Sequence, residues 1–188
     1  MARLLHLFEE ELLRLECDQR PDLEFLREVL QYCVSYPELC HHPKEDLVYG
    51  MLRQRDPEAA QAFGNLAREH EVLERQALEV LGMVDQLREG HSPSPGAVAR
   101  EARNLLDFYR RHMAAEEDCL YEAAARSLTE ADWAEIDAKV GNREDPIFGD
   151  KILVTQQEFL IHRPSNKGQH AHLIHHNLLR RFALINQF

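Results

Sequence analysis

Three histidine–glutamate pairs give this chain its chemical character. His41 and Glu45, His70 and Glu74, and His112 and Glu116 each lie four residues apart, with Glu117 at the next place after Glu116. On a helix, that spacing brings both side chains off one face, a single turn from each other. Neutral imidazole is a strong terminal donor to intermediate metals, and a carboxylate can bridge two cations about 3.5 Å apart while offsetting their charge. Such groups, pointing inward from several helices, enclose di-iron or di-manganese centres in bundles. One pair alone is ordinarily a solvated helix face. Three pairs on successive long helices form a pattern, because several ionisable groups inside a bundle are unfavourable unless paired or bound to metal.

The neighbours of these residues leave choices open. His41 and His42 are adjacent and differ by about 100° around a helix, so only one can point fully inward. His41 lies seven residues before Val48 and shares its face, which gives it the inward place; His42 is left open between ligand and rim. Glu116 aligns with His112 better than Glu117 does, and Glu74 stands as a further oxygen donor. Tyr109, three residues before His112, is read as a packing residue that could alternatively lie over the centre. The cysteines (Cys17, Cys33, Cys40 and Cys119) follow no CxxC spacing and read as free thiols. With no thiolate in the set, iron or manganese is favoured over a structural zinc knot. No Ser/His/Asp nucleophile set, glycine-rich phosphate loop or dinucleotide fingerprint is present.

The elements that must position these groups read as helices. Leu4, Leu5, Phe8, Leu12 and Leu15 repeat at three- and four-residue steps over 2–16. Asp22 can cap a second helix through Phe25, Leu26, Val29, Leu30 and Cys33, which Pro37 and Pro43 kink or split near 37–42. Asp56-Pro57-Glu58 is a start signal for a third helix, expected to run unbroken to about Arg88 through Phe63, Leu66, Val72, Leu73, Leu78 and Leu81. The loop EGHSPSPG (89–96) precedes a fourth helix to about Ser127, and Thr129 caps a short helix over 130–140. The fold class is therefore all-α: an up-and-down antiparallel four-helix bundle over 1–150, with a helical C-terminal extension over 151–188. That extension holds His162, read as the end of a helix before Pro164, and His170, His172, His175 and His176, read as a solvated cluster or as replacement ligands.

The chain has 33 acidic against 22 basic residues, a formal charge of -11. That balance argues against nucleic acid and anionic membranes as partners. No apolar window is long enough to span a bilayer, and no basic stretch leads into an apolar run near the start, so a cytoplasmic location is expected.

The strings YPELCHHPKEDLVYGML (36–52), REH (68–70) and HMAAEEDCLYEAA (112–124) resemble the hemerythrin-like family, the HHE cation-binding domain. ADW (131–133) and DPIFG (145–149) resemble features that follow its fourth helix, so the likeness runs over about 1–150. The resemblance implies a four-helix bundle around a non-haem di-iron centre, with His41, Glu45, His70, His112 and Glu116 as ligands. Glu74 and Glu117 stand where the family's oxygen carriers place a His and an Asp. The family's first helix normally supplies a His at a position that falls ahead of Met1; His6 is the substitute considered, though it lies about 11–12 Å further along the helix. Two iron ions are expected, one being the alternative. An open coordination position on such a centre points to binding or sensing of a small diatomic ligand such as oxygen or nitric oxide, a reading that favours a non-enzyme while leaving catalysis open, with a homodimer considered. An iron-dependent oxidase, an iron-cluster repair factor and a metal-free interaction bundle are the alternatives.

Overall fold

The computed structural model describes residues 2–17, 19–37 and 41–140. The chain divides into two units, Met1–Arg143 and Glu144–Phe188, and the described residues all belong to the first. The C-terminal extension and its histidines lie outside the described residues.

The helices among the described residues are, in order, α1 Ala2–Glu16, α2 Leu23–Tyr36, α3 His42–Arg55, α4 Pro57–Phe63, α5 Leu66–Arg88, α6 Pro95–Ala115, the π segment Glu116–Tyr121, α7 Glu122–Ser127 and α8 Glu130–Val140. No strand occurs among the described residues. Local chemistry sets most boundaries. The Asp22 carboxylate accepts from the Phe25 N–H, Asp56 from Ala59 and Asn65 from Arg68, each satisfying a backbone donor that the helix cannot. Proline stands in the first turn of α3, α4 and α6, where its missing N–H is harmless.

α1, α2, α5 and α6 close a ring, each packing on its neighbours. Ion pairs fix their antiparallel sense. Arg27 and Arg88 join the start of α2 to the end of α5 through Asp85 and Glu24. Arg103 reaches Glu16 while Arg110 reaches Glu9, so α1 and α6 run oppositely. The ring buries Leu4, Phe8, Leu12, Leu26, Leu30, Leu73, Val84 and Leu106. Removing such a side chain to Ala costs about 2–5 kcal/mol.

A second, smaller core lies beside the ring's far end. Val48, Leu52, Ala60, Leu66, Leu120, Ala123, Ala124, Leu128 and Ile136 pack together, with Trp133 against them. α3 belongs to both regions, since it touches α5 as well as α4, α7 and α8.

Two sequence expectations change. The third helix is not continuous from Pro57 to Arg88; it breaks at Gly64-Asn65. Gly64 has φ 101°, which a side chain would strain, and Asn65 restarts the helix as an N-cap. The Tyr49 hydroxyl donates to the Gly64 carbonyl across this break. Leu78 was expected in the core stripe of the third helix, yet it is exposed; the stripe runs through Leu73, Ala77, Val80 and Val84. Alanine carries little apolar signal, so the true phase is hidden at position 77.

α8 is held by one buried carboxylate. Asp132 receives Nε and Nη2 of Arg55 at 3.0 and 2.7 Å and the N–H and hydroxyl of Thr129 at 2.9 and 2.8 Å. Arg55 and then the Thr129 donors hold its carboxyl well below the ordinary 3.8. A carboxyl depressed in the folded state contributes stability that is complete above about pH 3.8 and is lost as pH falls through the lower folded value. Asp132→Asn is therefore expected to red-shift the emission of Trp133, the single tryptophan, at pH 7, and the difference from the parent protein should shrink as wild-type Asp132 protonates in acid. An unshifted emission spectrum at pH 7 would refute this role.

Candidate metal centre

At the junction of ring and second core, side chains from α3, α5, α6 and the π segment converge. His42, Glu45, His70, His112 and Glu116 are all buried, Glu45 to 1% exposure. The His112 Nε2 lies 2.7 Å from Glu116 Oε1, the His70 Nε2 3.5 Å from Glu45 Oε2 and 3.8 Å from Glu116 Oε1. The His42 and His70 rings stack with centroids 3.6 Å apart, and His112 stands edge-on to His70. His41 flanks the group from outside: its side chain is 57% exposed, yet its Nε2 is 3.1 Å from Glu45 Oε1.

The outward atoms are held and the inward ones are not. His112 Nδ1 lies 2.9 Å from Glu69 Oε2, an arrangement that fixes Nδ1 as the protonated nitrogen and turns the Nε2 lone pair inward. His70 Nδ1 faces Asp46 at 3.7 Å. The Tyr121 hydroxyl donates to Glu45 Oε1 at 2.7 Å. In contrast, Glu45 Oε2, His70 Nε2, His112 Nε2 and Glu116 Oε1 are buried without a hydrogen-bond partner. The short His112–Glu116 approach brings two such atoms close without hydrogen-bond alignment. Four convergent, buried donor atoms without a hydrogen-bond partner fit a cation, which would coordinate them once their protons are displaced.

Among the described residues, two ligand groups result. His42, Glu45, His70 and His112 form one, His41, Glu45 and Glu116 the other; within each, donor atoms lie within 4.8 Å of one another. Glu45 belongs to both.

The sequence-derived residues are placed as follows. Glu45, His70, His112 and Glu116 come together, and both His41 and His42 reach the group, with His42 the buried one. Counting phase from Val48 gave the inward place to His41, but Val48 faces the second core and His70 stands on another side of α3. Glu117 is exposed and Glu74 is absent from both groups. His6 is exposed on α1, 3.6 Å from Glu10. Tyr109 is buried and donates to the Cys33 carbonyl. Sequence reading passed over Glu69, Asp46 and Tyr121. Glu69 and Asp46 directly precede His70 and follow Glu45, which was the available signal.

The family model of the hemerythrin HHE cation binding domain matches residues 1–125. The chain belongs to the hemerythrin HHE family. All the converging residues of this HHE domain fall inside the match, while α8 lies beyond it. No curated protein and no solved structure matches the chain. Among the described residues, no helix is long and apolar enough to cross a membrane.

Electrostatics divide the imidazoles of the HHE domain. Burial, followed by repulsion from His70, pushes His42 down to about 3, so it is neutral. Burial also works to lower His70, but the Glu116 and Glu45 carboxylates outweigh it and hold this imidazolium up at about 9. His112 is raised in the same way: burial opposes, and Glu116 prevails. Glu116 is the counterpart, since burial would raise it but His112 and His70 hold it down at about 2. The metal-free cluster thus balances imidazolium against carboxylate, and a cation must displace those protons. Cobalt(II) binding at pH 7 is expected to release protons, and the affinity should fall by about tenfold per pH unit for each proton displaced as pH drops below 9. Calorimetry in buffers of different ionisation enthalpy reads the release; a heat independent of the buffer contradicts it.

Proposed function

We propose that this HHE domain binds iron, as a centre of two ions, and that it binds or senses a small diatomic ligand such as oxygen or nitric oxide. The observation that carries the reading is the pair of ligand groups sharing Glu45, backed by four buried donor atoms without partners. His42, His70 and His112 would hold the inner ion with Glu45; His41 and Glu116 would hold the outer one with the same Glu45. The donor set is nitrogen and oxygen only, which suits iron or manganese rather than a thiolate-bound zinc. When bound, iron supplies an exchangeable coordination position and redox chemistry for a diatomic ligand.

The chain's own residues prepare the site. Glu69 keeps His112 in the tautomer that offers Nε2, and the stacked His42 keeps the His70 ring in its plane. Leu66, Leu73 and Leu120, all fully buried on the elements that carry the ligands, keep water from the backbone around them. His41, the exposed member, marks the side from which a small ligand reaches the outer ion. The nucleophile and phosphate-binding patterns missing from the sequence support reversible binding over group transfer.

Protein produced with iron supplied is expected to hold up to two iron per chain by elemental analysis. Glu45→Ala should abolish both, because both groups lose a ligand, whereas His41→Ala should halve the iron and spare the inner ion. Retention of the full iron content by Glu45→Ala would remove the shared-ligand reading. Iron-loaded protein that leaves oxygen and nitric oxide untouched in its absorption spectrum would remove the ligand reading alone.

A further inference from the structure

We infer that Tyr121 is a positioning residue for the metal centre, holding the Glu45 carboxylate so that its second oxygen faces the imidazoles. The inference rests on the metal reading given above and adds a residue to it. Glu45 is a flexible side chain whose two oxygens do different things. Oε1 accepts from the Tyr121 hydroxyl at 2.7 Å. Oε2 is buried, has no hydrogen-bond partner and lies 3.5 Å from His70 Nε2. A donor on Oε1 fixes the rotation of the carboxylate about its last bond, and that rotation decides where Oε2 points.

The backbone brings Tyr121 there by a specific device. Glu116 and Tyr121 are five residues apart and are the two ends of the π segment. In an α-helix, residues i and i+5 lie about 140° apart around the axis. A π turn, bonded i to i+5, widens the helix so that its two ends come closer to the same face. Tyr121 can therefore reach Glu45 on α3 while Glu116 faces His112 on α6. Removal of this one hydroxyl leaves the ring in place, and the side chain is at the rim, the residue being 38% exposed, so the metal-free fold should tolerate the change.

The experiment is a cobalt(II) titration of wild type, Tyr121→Phe and Tyr49→Phe, followed by the visible absorption of the bound ion and by metal-free melting curves. Tyr49 is the control: its hydroxyl donates to the Gly64 and Ala60 carbonyls, away from the cluster. Tyr121→Phe is expected to weaken cobalt binding by about 10- to 100-fold and to alter the band shape, with its metal-free melting lowered no more than that of Tyr49→Phe. Tyr49→Phe should do the reverse, melting earlier with cobalt affinity retained. Cobalt affinity within twofold of wild type for Tyr121→Phe would overturn the inference while leaving the metal reading standing. A loss of affinity matched by the Tyr49→Phe control would also overturn it, as general destabilisation. Wild type that takes up neither cobalt nor iron would overturn the metal reading and the inference together.

Discussion

Two carboxylates buried among imidazoles set the terms for the rest of this domain. Glu45 and Glu116 are nearly inaccessible, and a buried charge without compensation costs several kcal/mol. Compensation comes from His70 and His112, and it works only while three helices and the π segment stay in register to within a fraction of a turn. The ring of helices supplies that register through its leucine core and its antiparallel arginine pairs. Stability and the capacity to bind a cation thus have a common origin. The groups that neutralise one another in the metal-free cluster are the same groups that would let go of protons to a metal.

α3 has the hardest task in this arrangement. One side of it meets the ring, where His42 stacks on His70; another carries Val48 and Leu52 into the second core. Arg55 at its end grips Asp132 of α8. Movement of α8 therefore acts on the helix that carries Glu45, the residue common to both ligand groups. The second core is best understood as a support for α3, fixing from behind a helix that has ligands in front.

Much of this was legible in the residues. The leucine stripes of α1 and α2 gave the core positions directly, and the i,i+4 pairs pointed to Glu45, His70, His112 and Glu116 as a group. The string HHPKED made the family resemblance specific, and the family match over 1–125 agrees with it. What escaped is instructive in physical terms. Gly64-Asn65 is a stop and a restart, but the apolar rhythm continues across it, so periodicity alone joined two helices. The choice between His41 and His42 depends on which of two cores α3 faces, and one hydrophobic stripe cannot report two cores. Glu69 and Tyr121 act on a ligand and not on the metal, and their partners are distant in sequence: Glu69 is 43 residues from His112, Tyr121 76 residues from Glu45.

The π segment has a consequence for how this chain tolerates insertions and deletions. A single π turn holds one residue more than the α-helical turn it replaces, so everything beyond Tyr121 is rotated by about 100° relative to a plain continuation of α6. Leu120, Ala123 and Ala124 meet the second core in that rotated frame. Deleting one residue between Glu117 and Cys119 would restore an ordinary helix and leave His112 and Glu116 where they stand. The same deletion would keep the apolar face of α7 toward α3, because an α turn covers the same angle with one residue fewer. This turn thus carries one spare residue between two hydrophobic cores: losing it keeps both in phase, whereas losing a second would turn α7 by about 100° away from α3.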